Sequence, residues 1–241
     1  ITTMDATIRS LEKLGKAFEK FYFFPGNHDL YYKDKRDINS IDFARHIEGI
    51  TMVNEMMTEG DVTLIPWLVG DEWKKIPKIK SKYIFGHFEL PNFYMNAMVQ
   101  MPDTGELQAD HFKNQEYVFS GHFHKRQVKG PVHYIGNALP HNYADAWDDE
   151  RGMMILEHGG EPQYLNWWNC PKYRTVKLSR LLDEKDTLIK SKMYLRVTLD
   201  LPISYEEANF IKETFMKDYN CREISLIPNT QDEEINSDID I

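Results

Sequence analysis

Residues 23–32 read FFPGNHDLYY: an apolar run closes on Pro25 and Gly26, and an amide, an imidazole and a carboxylate follow at Asn27, His28 and Asp29. An apolar run that stops at Pro-Gly reads as a short buried strand ending in a tight turn. Strand ends are rigidly held, and in α/β proteins they bring together residues that are far apart in the chain. If Asn27, His28 and Asp29 serve chemistry, other strands of this sequence should end in the same way.

Two of them do. YIFG (83–86) runs into His87, and YVFS (117–120) runs through Gly121 into His122, Phe123 and His124. VTLIPW (62–67), VHYIGN (132–137) and GMMILEH (152–158) also read as strands, with loops and helical segments between them, LPNFYMNAMVQM after residue 89 included. Upstream, residues 5–20 place Ile8, Leu11, Leu14, Ala17 and Phe18 at helical spacing, with Thr2, Thr3 and Asp5 as candidate caps.

After NWWNCPKYRTVKL (166–178) the texture changes. MYLRVTLDL (193–201) alternates like a half-buried strand. Ser204 and Glu207 then have capping-box spacing and open a helix with Ala208, Ile211, Phe215 and Met216 on one face. REISLIP (222–228) is a further strand. The expected organisation is a main α/β domain over 1–171, a small β-α-β domain over 172–228, and an acidic, disordered tail at 229–241.

A lone histidine after a strand is usually an ordinary loop residue. Gly-Asn-His-Asp, then Gly-His, then Gly-His-x-His, each behind an apolar strand, is a different matter and points to a metal site. In an extended or turning segment His122 and His124 project to the same side and could serve two neighbouring ions or clamp one. Glycine before each of these residues is expected to let the backbone turn tightly and to leave room for an ion and a phosphate oxygen. Nitrogen and oxygen donors without thiolates suit manganese, iron or zinc.

Composition sets the outer bounds. The 241 residues are 41% hydrophobic, enough for one substantial core and a smaller satellite. Cys170 and Cys221 fit neither a disulfide framework nor a thiolate zinc site, and no apolar run approaches the roughly 18 residues of a membrane span. No secretory pattern is visible, so the expected compartment is the cytoplasm, or the host cytoplasm for a phage protein. The net charge of -9 repels nucleic acid on average, so contact with DNA would need local basic patches or metal ions facing the phosphates.

The motif set resembles the calcineurin-like metallophosphoesterase superfamily, whose motifs run Asp-x-His, Gly-Asp-x-x-Asp/His, Gly-Asn-His-Asp/Glu, a lone histidine and Gly-His-x-His. Within it the chain is most similar to the nuclease subunit of SbcD-type and phage recombination exonuclease complexes. LIPW (64–67), GHFEL (86–90), SGHFHKRQ (120–127) and the β-α-β segment carry that likeness. The first two motifs are expected to lie upstream of Ile1. The resemblance implies a β-sandwich flanked by helices with a C-terminal capping, DNA-binding domain. It also implies two divalent ions, most often Mn2+, with Asn27, His87 and His122 holding one and His124 its neighbour; this chain then retains ligands for about one and a half sites. His28 would protonate the leaving oxygen and Asp29 would orient it.

The implied function is metal-dependent exonuclease and endonuclease cleavage of DNA in replication, recombination and repair, beside an ABC/SMC-type ATPase, with a homodimer left open. A small-molecule or protein phosphoesterase is the alternative on the same chemistry. A catalytically incomplete fragment serving as a binding module is the alternative from another class. Lys125, Arg126 and Lys129 beyond the last motif could contact a DNA backbone or form a solvated turn. Arg174 could face DNA from the capping segment or lie on a plain solvated strand face, the reading the sequence favours. Glu89 reads as a surface carboxylate or a neighbour of the site, His133 and His141 as structural, and Trp67, Trp147, Trp167 and Trp168 as core or interface.

Overall fold

The computed structural model describes residues 2–95 and 99–229 and shows a mixed α/β protein with several sheets and few helices. The chain divides into two compact units, Ile1–Gly136 and Asn137–Ile241. Residues 230–241, most of the expected acidic tail, lie outside the described residues, as do 96–98. Among the described residues no helix is long and apolar enough to cross a membrane.

The first unit opens with α1 (Thr3–Ala17), capped by Thr2 and Asp5 in a reciprocal capping box. Then come β1 (Phe21–Phe23), β2 (Ile50–Met52), β3 (Met57–Glu59), β4 (Val62–Ile65), β5 (Tyr83–Gly86), β6 (Tyr117–Ser120), β7 (Gln127–Lys129) and β8 (Val132–Tyr134). β1 and β2 form a parallel pair. The others form one six-stranded sheet in the order β3-β4-β5-β6-β8-β7, parallel through β4, β5, β6 and β8 and antiparallel at both edges. Because the four central strands run the same way, their carboxyl ends emerge on one rim. That rim carries Trp67, His87 and His122.

The in-register rows Thr63, Ile84, Val118, Val132 and Ile65, Gly86, Ser120, Tyr134 share one face of the sheet. Ile65, Ile84, Val118, Val132 and Tyr134 on it are fully buried, packed with Ile76, Phe88, Phe93, Phe112 and Phe123. Gly86 is required here by packing: a Cβ would lie 2.3 Å from the Phe88 ring.

The fully buried Tyr134 pins the segment after β5. Its hydroxyl donates to the Phe88 carbonyl at 2.9 Å and accepts the Leu90 N–H at 3.2 Å. Tyr134→Phe strands two buried backbone groups and is expected to cost about 1–3 kcal/mol in denaturant unfolding. Unchanged stability would show that the hydroxyl does not hold this segment.

LPNFYMNAMVQM (90–101) is no helix in its described part. Asn92 takes a positive φ of 66°, Phe93 is buried, the Asn92 N–H donates to the Met101 carbonyl, and the Met101 N–H donates to the Phe93 carbonyl. Tyr94 and Gln100 form an antiparallel bridge, so the described apolar residues of this stretch do not line a helical face.

The second unit has a hairpin, β9 (Gly152–Ile155) with β10 (Gln163–Asn166), and a parallel three-stranded sheet. That sheet is β11 (Lys172–Lys177), β12 (Met193–Leu199) and β13 (Glu223–Pro228), with α2 (Leu178–Leu188) and α3 (Tyr205–Asp218) as its crossovers. The sequence reading foresaw α3 and its Ser204–Glu207 cap but not α2. Lys177 gives α2 no side-chain cap, the Ser179 N–H being met instead by the distant Asp200, and its buried residues Leu178, Leu181 and Leu188 are diluted by charge. Met216, placed on the apolar face of α3, is 38% exposed, while Phe215 is 3% exposed and in the core.

Candidate functional site

Asn27, His28 and Asp29 occupy a single 3-10 turn just beyond β1. The turn is closed by Asp29, whose Oδ2 accepts the Gly26 N–H at 2.8 Å. The Trp67 N–H donates to the Pro25 carbonyl at 2.9 Å, which ties this turn to the end of β4.

From there the sheet rim brings the imidazoles in. The Asn27 Oδ1 lies 3.0 Å from His87 Nε2 and 3.2 Å from His122 Nδ1. The two rings meet edge to face at 5.2 Å. The indole of Trp67 stands against both, 5.9 Å from His87 and 5.3 Å from His122 between ring centres. Residues 27, 87 and 122 thus converge on one point from the ends of β1, β5 and β6.

Electrostatics keep this point neutral. His87 is pushed down to about 4, first by burial and then by the charges of His122 and His28. His122 is also pushed down to about 4, by burial and then by His28 and His124. Both rings therefore carry a free nitrogen lone pair at neutral pH, the state that metal ligation needs. His28 is exposed at the edge of the cluster, and His124 reaches it through its charge on His122.

The glycines answer a different need from the expected one. A Cβ on Gly26 would sit 2.7 Å from the His87 ring, and one on Gly121 would sit 2.9 Å from His87 Nδ1. The space they leave is filled by that imidazole. Gly26 has φ -90°, which alanine adopts freely, so Gly26→Ala should fold while displacing the ring. The expected result is a roughly 10- to 100-fold loss of Mn2+ affinity in calorimetric titration, with little change in melting. An unaltered affinity would detach His87 from metal binding.

His122 departs from extended geometry. Its φ is +82°, a left-handed conformation that costs a β-carbon residue about 1 kcal/mol or more. Backbone strain of this kind gathers at functional sites, and here it directs the ring at Asn27. Asparagine tolerates this region best among side-chain residues, which makes His122→Asn a substitution that spares the backbone.

Glu89 comes nearer than a plain surface carboxylate, with Oε1 3.8 Å from His122 Nε2 and its carboxyl raised by burial. Sequence reasoning missed two supports. One is Trp67, described above. The other is Arg36, whose Nη1 donates to the Trp67 carbonyl at 2.7 Å and whose Nε donates to the Asn54 carbonyl at 2.8 Å. Its Nη2 reaches Glu72 at 2.8 Å.

The basic residues offered to DNA are each engaged within their own unit. Lys125 lies over the Tyr94 ring at 5.2 Å. Arg126 donates to the Ile135 carbonyl at 3.3 Å. Lys129 donates to the Asn92 carbonyl and lies over Phe93. Arg174, 6% exposed, is clamped by Asp149 at 2.9 and 2.6 Å and lies over Trp147 at 4.5 Å. His133 is buried in the sheet between Tyr117 and Phe119, and the His141 N–H donates to Asp145.

Among the described residues no three of His, Cys, Asp and Glu gather as a metal cage. The donors that do gather are an amide oxygen and two imidazole nitrogens. They fit a borderline transition ion in type and in protonation state, and they bring no negative charge of their own.

The chain is similar to exonuclease subunit 1 of Enterobacteria phage T4, 23% identical over 253 aligned positions that take in 99% of this chain and 71% of the phage protein. No family model matches.

Proposed function

We propose that this chain is a nuclease subunit that hydrolyses DNA phosphodiester bonds with divalent metal ions, Mn2+ foremost, at the ends of β1, β5 and β6. The observation that carries the reading is the meeting of Asn27, His87 and His122 at one oxygen, at 3.0 and 3.2 Å. Similarity to a phage exonuclease subunit across nearly the whole chain supports it independently.

In this reading Asn27, His87 and His122 hold one ion and His124 contributes to a second. Bound there, such ions supply positive charge to the phosphate oxygens and a hydroxide nucleophile at neutral pH. The chain's own residues do the rest. Burial keeps His87 and His122 neutral, so each ring keeps one nitrogen lone pair that an ion could take. His28, exposed beside them, is placed to give a proton to the departing oxygen. Asp29 positions His28 and Asn27 by fixing their turn. Trp67 covers one side of both rings and excludes water there.

The net charge of -9 and the internal engagement of the basic residues leave phosphate neutralisation largely to the ions. A place in DNA end processing, recombination and repair with an ABC/SMC-type ATPase, and the role of residues 172–228 as a capping domain, belong to the same proposal. The test is Mn2+-dependent degradation of linear duplex DNA by this polypeptide, abolished by chelation and by His122→Asn. Hydrolysis of small phosphodiesters with duplex DNA left intact would favour the phosphoesterase alternative. Cleavage that survives chelation would contradict both.

A further inference from the structure

A cleft opens directly beside the donor cluster in the first unit, with Trp67, Trp73, His87, Glu89, Thr104 and Glu106 in its lining above buried Phe88. Since Trp67 touches both His87 and His122, a group in this cleft lies within one side chain of the point where a phosphate would be held. The far indole is held in place too. Trp73 stacks on His111 at 5.5 Å, and His111 Nδ1 accepts the Gln108 N–H at 3.0 Å.

The chemistry of the lining selects its occupant. Two carboxylates offer acceptors only and repel a second phosphate. The indoles and the apolar residues favour something flat and uncharged. Of the three parts of a nucleotide only the base is flat and neutral, and an exocyclic amino group can donate to a carboxylate, as cytosine N4 does to glutamate. Thymine has no exocyclic amino group, and its single N3–H lies between two carbonyl oxygens that a carboxylate opposes.

We propose that this cleft receives the base of the nucleotide flanking the phosphate at the donor cluster, and that it prefers bases with an exocyclic amino group to thymine. The inference rests on the nuclease reading and adds a sequence preference to it.

The test is NMR titration of the intact chain, with Mg2+ present as a diamagnetic ion, against the dinucleoside monophosphates CpC and TpT and the corresponding abasic diester. The Trp67 and Trp73 indole N–H signals are the readout. CpC is expected to bind about tenfold tighter than TpT. The abasic diester should be weaker than CpC by roughly 5- to 100-fold, as for a lost base–aromatic contact. Glu106 is exposed, so Glu106→Gln should fold normally and narrow the difference between CpC and TpT, with Glu89 left as the other carboxylate. Trp73→Leu should bring CpC down to the abasic level. Equal binding of all three probes, still dependent on Asn27, would overturn the cleft and leave the nuclease reading standing. Binding of none of them would overturn both.

Discussion

Asn27→Ala is expected to lower Mn2+ affinity and DNA cleavage together by at least about 100-fold, while the protein stays folded. Residues that merely support metal ligands typically cost 10- to 100-fold, and Asn27 supplies the oxygen at which both imidazoles meet. The loss leaves two largely buried imidazoles without their shared acceptor, so a stability cost of about 1–3 kcal/mol is expected, which leaves the protein folded. Asn27→Asp makes the stricter comparison. It restores an oxygen in place and adds a charge, so affinity should return to the wild-type level or exceed it. Calorimetric titration with Mn2+ and a gel assay on linear duplex DNA measure both quantities. An alanine variant that binds and cleaves normally would remove Asn27 from the site.

The largest effect on stability is expected at Arg36, remote from the chemistry. Its guanidinium satisfies the carbonyls of Asn54 and Trp67 and the carboxylate of Glu72 at once. The Arg36 side chain is 9% exposed and that of Glu72 26%, so Arg36→Met leaves a largely buried carboxylate and two carbonyls without their donor. Breaking a buried pair costs about 3–5 kcal/mol, and the partial exposure of Glu72 puts the expectation near the lower end. For a chain of this size that corresponds to a melting temperature lower by roughly 6–12 °C.

The effect should also depend on pH. The Arg36 guanidinium holds the Glu72 carboxyl below its ordinary value of 4.5, against the opposing effect of burial. A depressed carboxyl contributes stability above its unfolded pKa and loses it as pH falls through the folded value. The gap between wild type and Arg36→Met should therefore be full at neutral pH and narrow in acid below about 4.5, the ordinary carboxyl value. A gap of the same size at both pH values would show that Glu72 does not hold Arg36. Because Arg36 also holds the Trp67 carbonyl, the variant should bind metal more weakly even where it remains folded.

How much of this was legible depended on how local each signal was. β5 and β6 match YIFG and YVFS residue for residue, because each is an apolar run cut off by glycine or by a Ser-Gly step. The meeting of His87 and His122 followed from the same rule, since β5 and β6 are parallel neighbours that share a rim. Asn27 comes instead from the separate β1–β2 pair and is tied in by the bond from the Trp67 N–H to the Pro25 carbonyl. Trp67 could not be assigned that way. It follows the end of β4 by two residues, in LIPW, and nothing local distinguishes a tryptophan facing a core from one facing two histidines. Arg36 sits in a polar loop, YYKDKRDINS, where no periodicity sets it apart from Lys33 or Lys35. Its partners Asn54, Trp67 and Glu72 are brought to it only by the fold. The glycines were read as backbone devices, whereas Gly26 and Gly121 make room for one imidazole that arrives from more than 30 residues away. The left-handed His122 had no sequence signal either; it comes from the demand that Phe123 enter the core while His122 faces Asn27.

The central claim is that Asn27, His87 and His122 form one metal-binding point, and paramagnetic broadening tests it without requiring catalysis. Histidine ring signals of the intact chain would be followed during addition of substoichiometric Mn2+. The account predicts that, among the histidines of the first unit, His87 and His122 broaden first, His28 and His124 next, and His46 and His111 last, with the order lost in Asn27→Ala. Broadening that spreads evenly over all nine histidines, or begins at those outside the cluster, would contradict it.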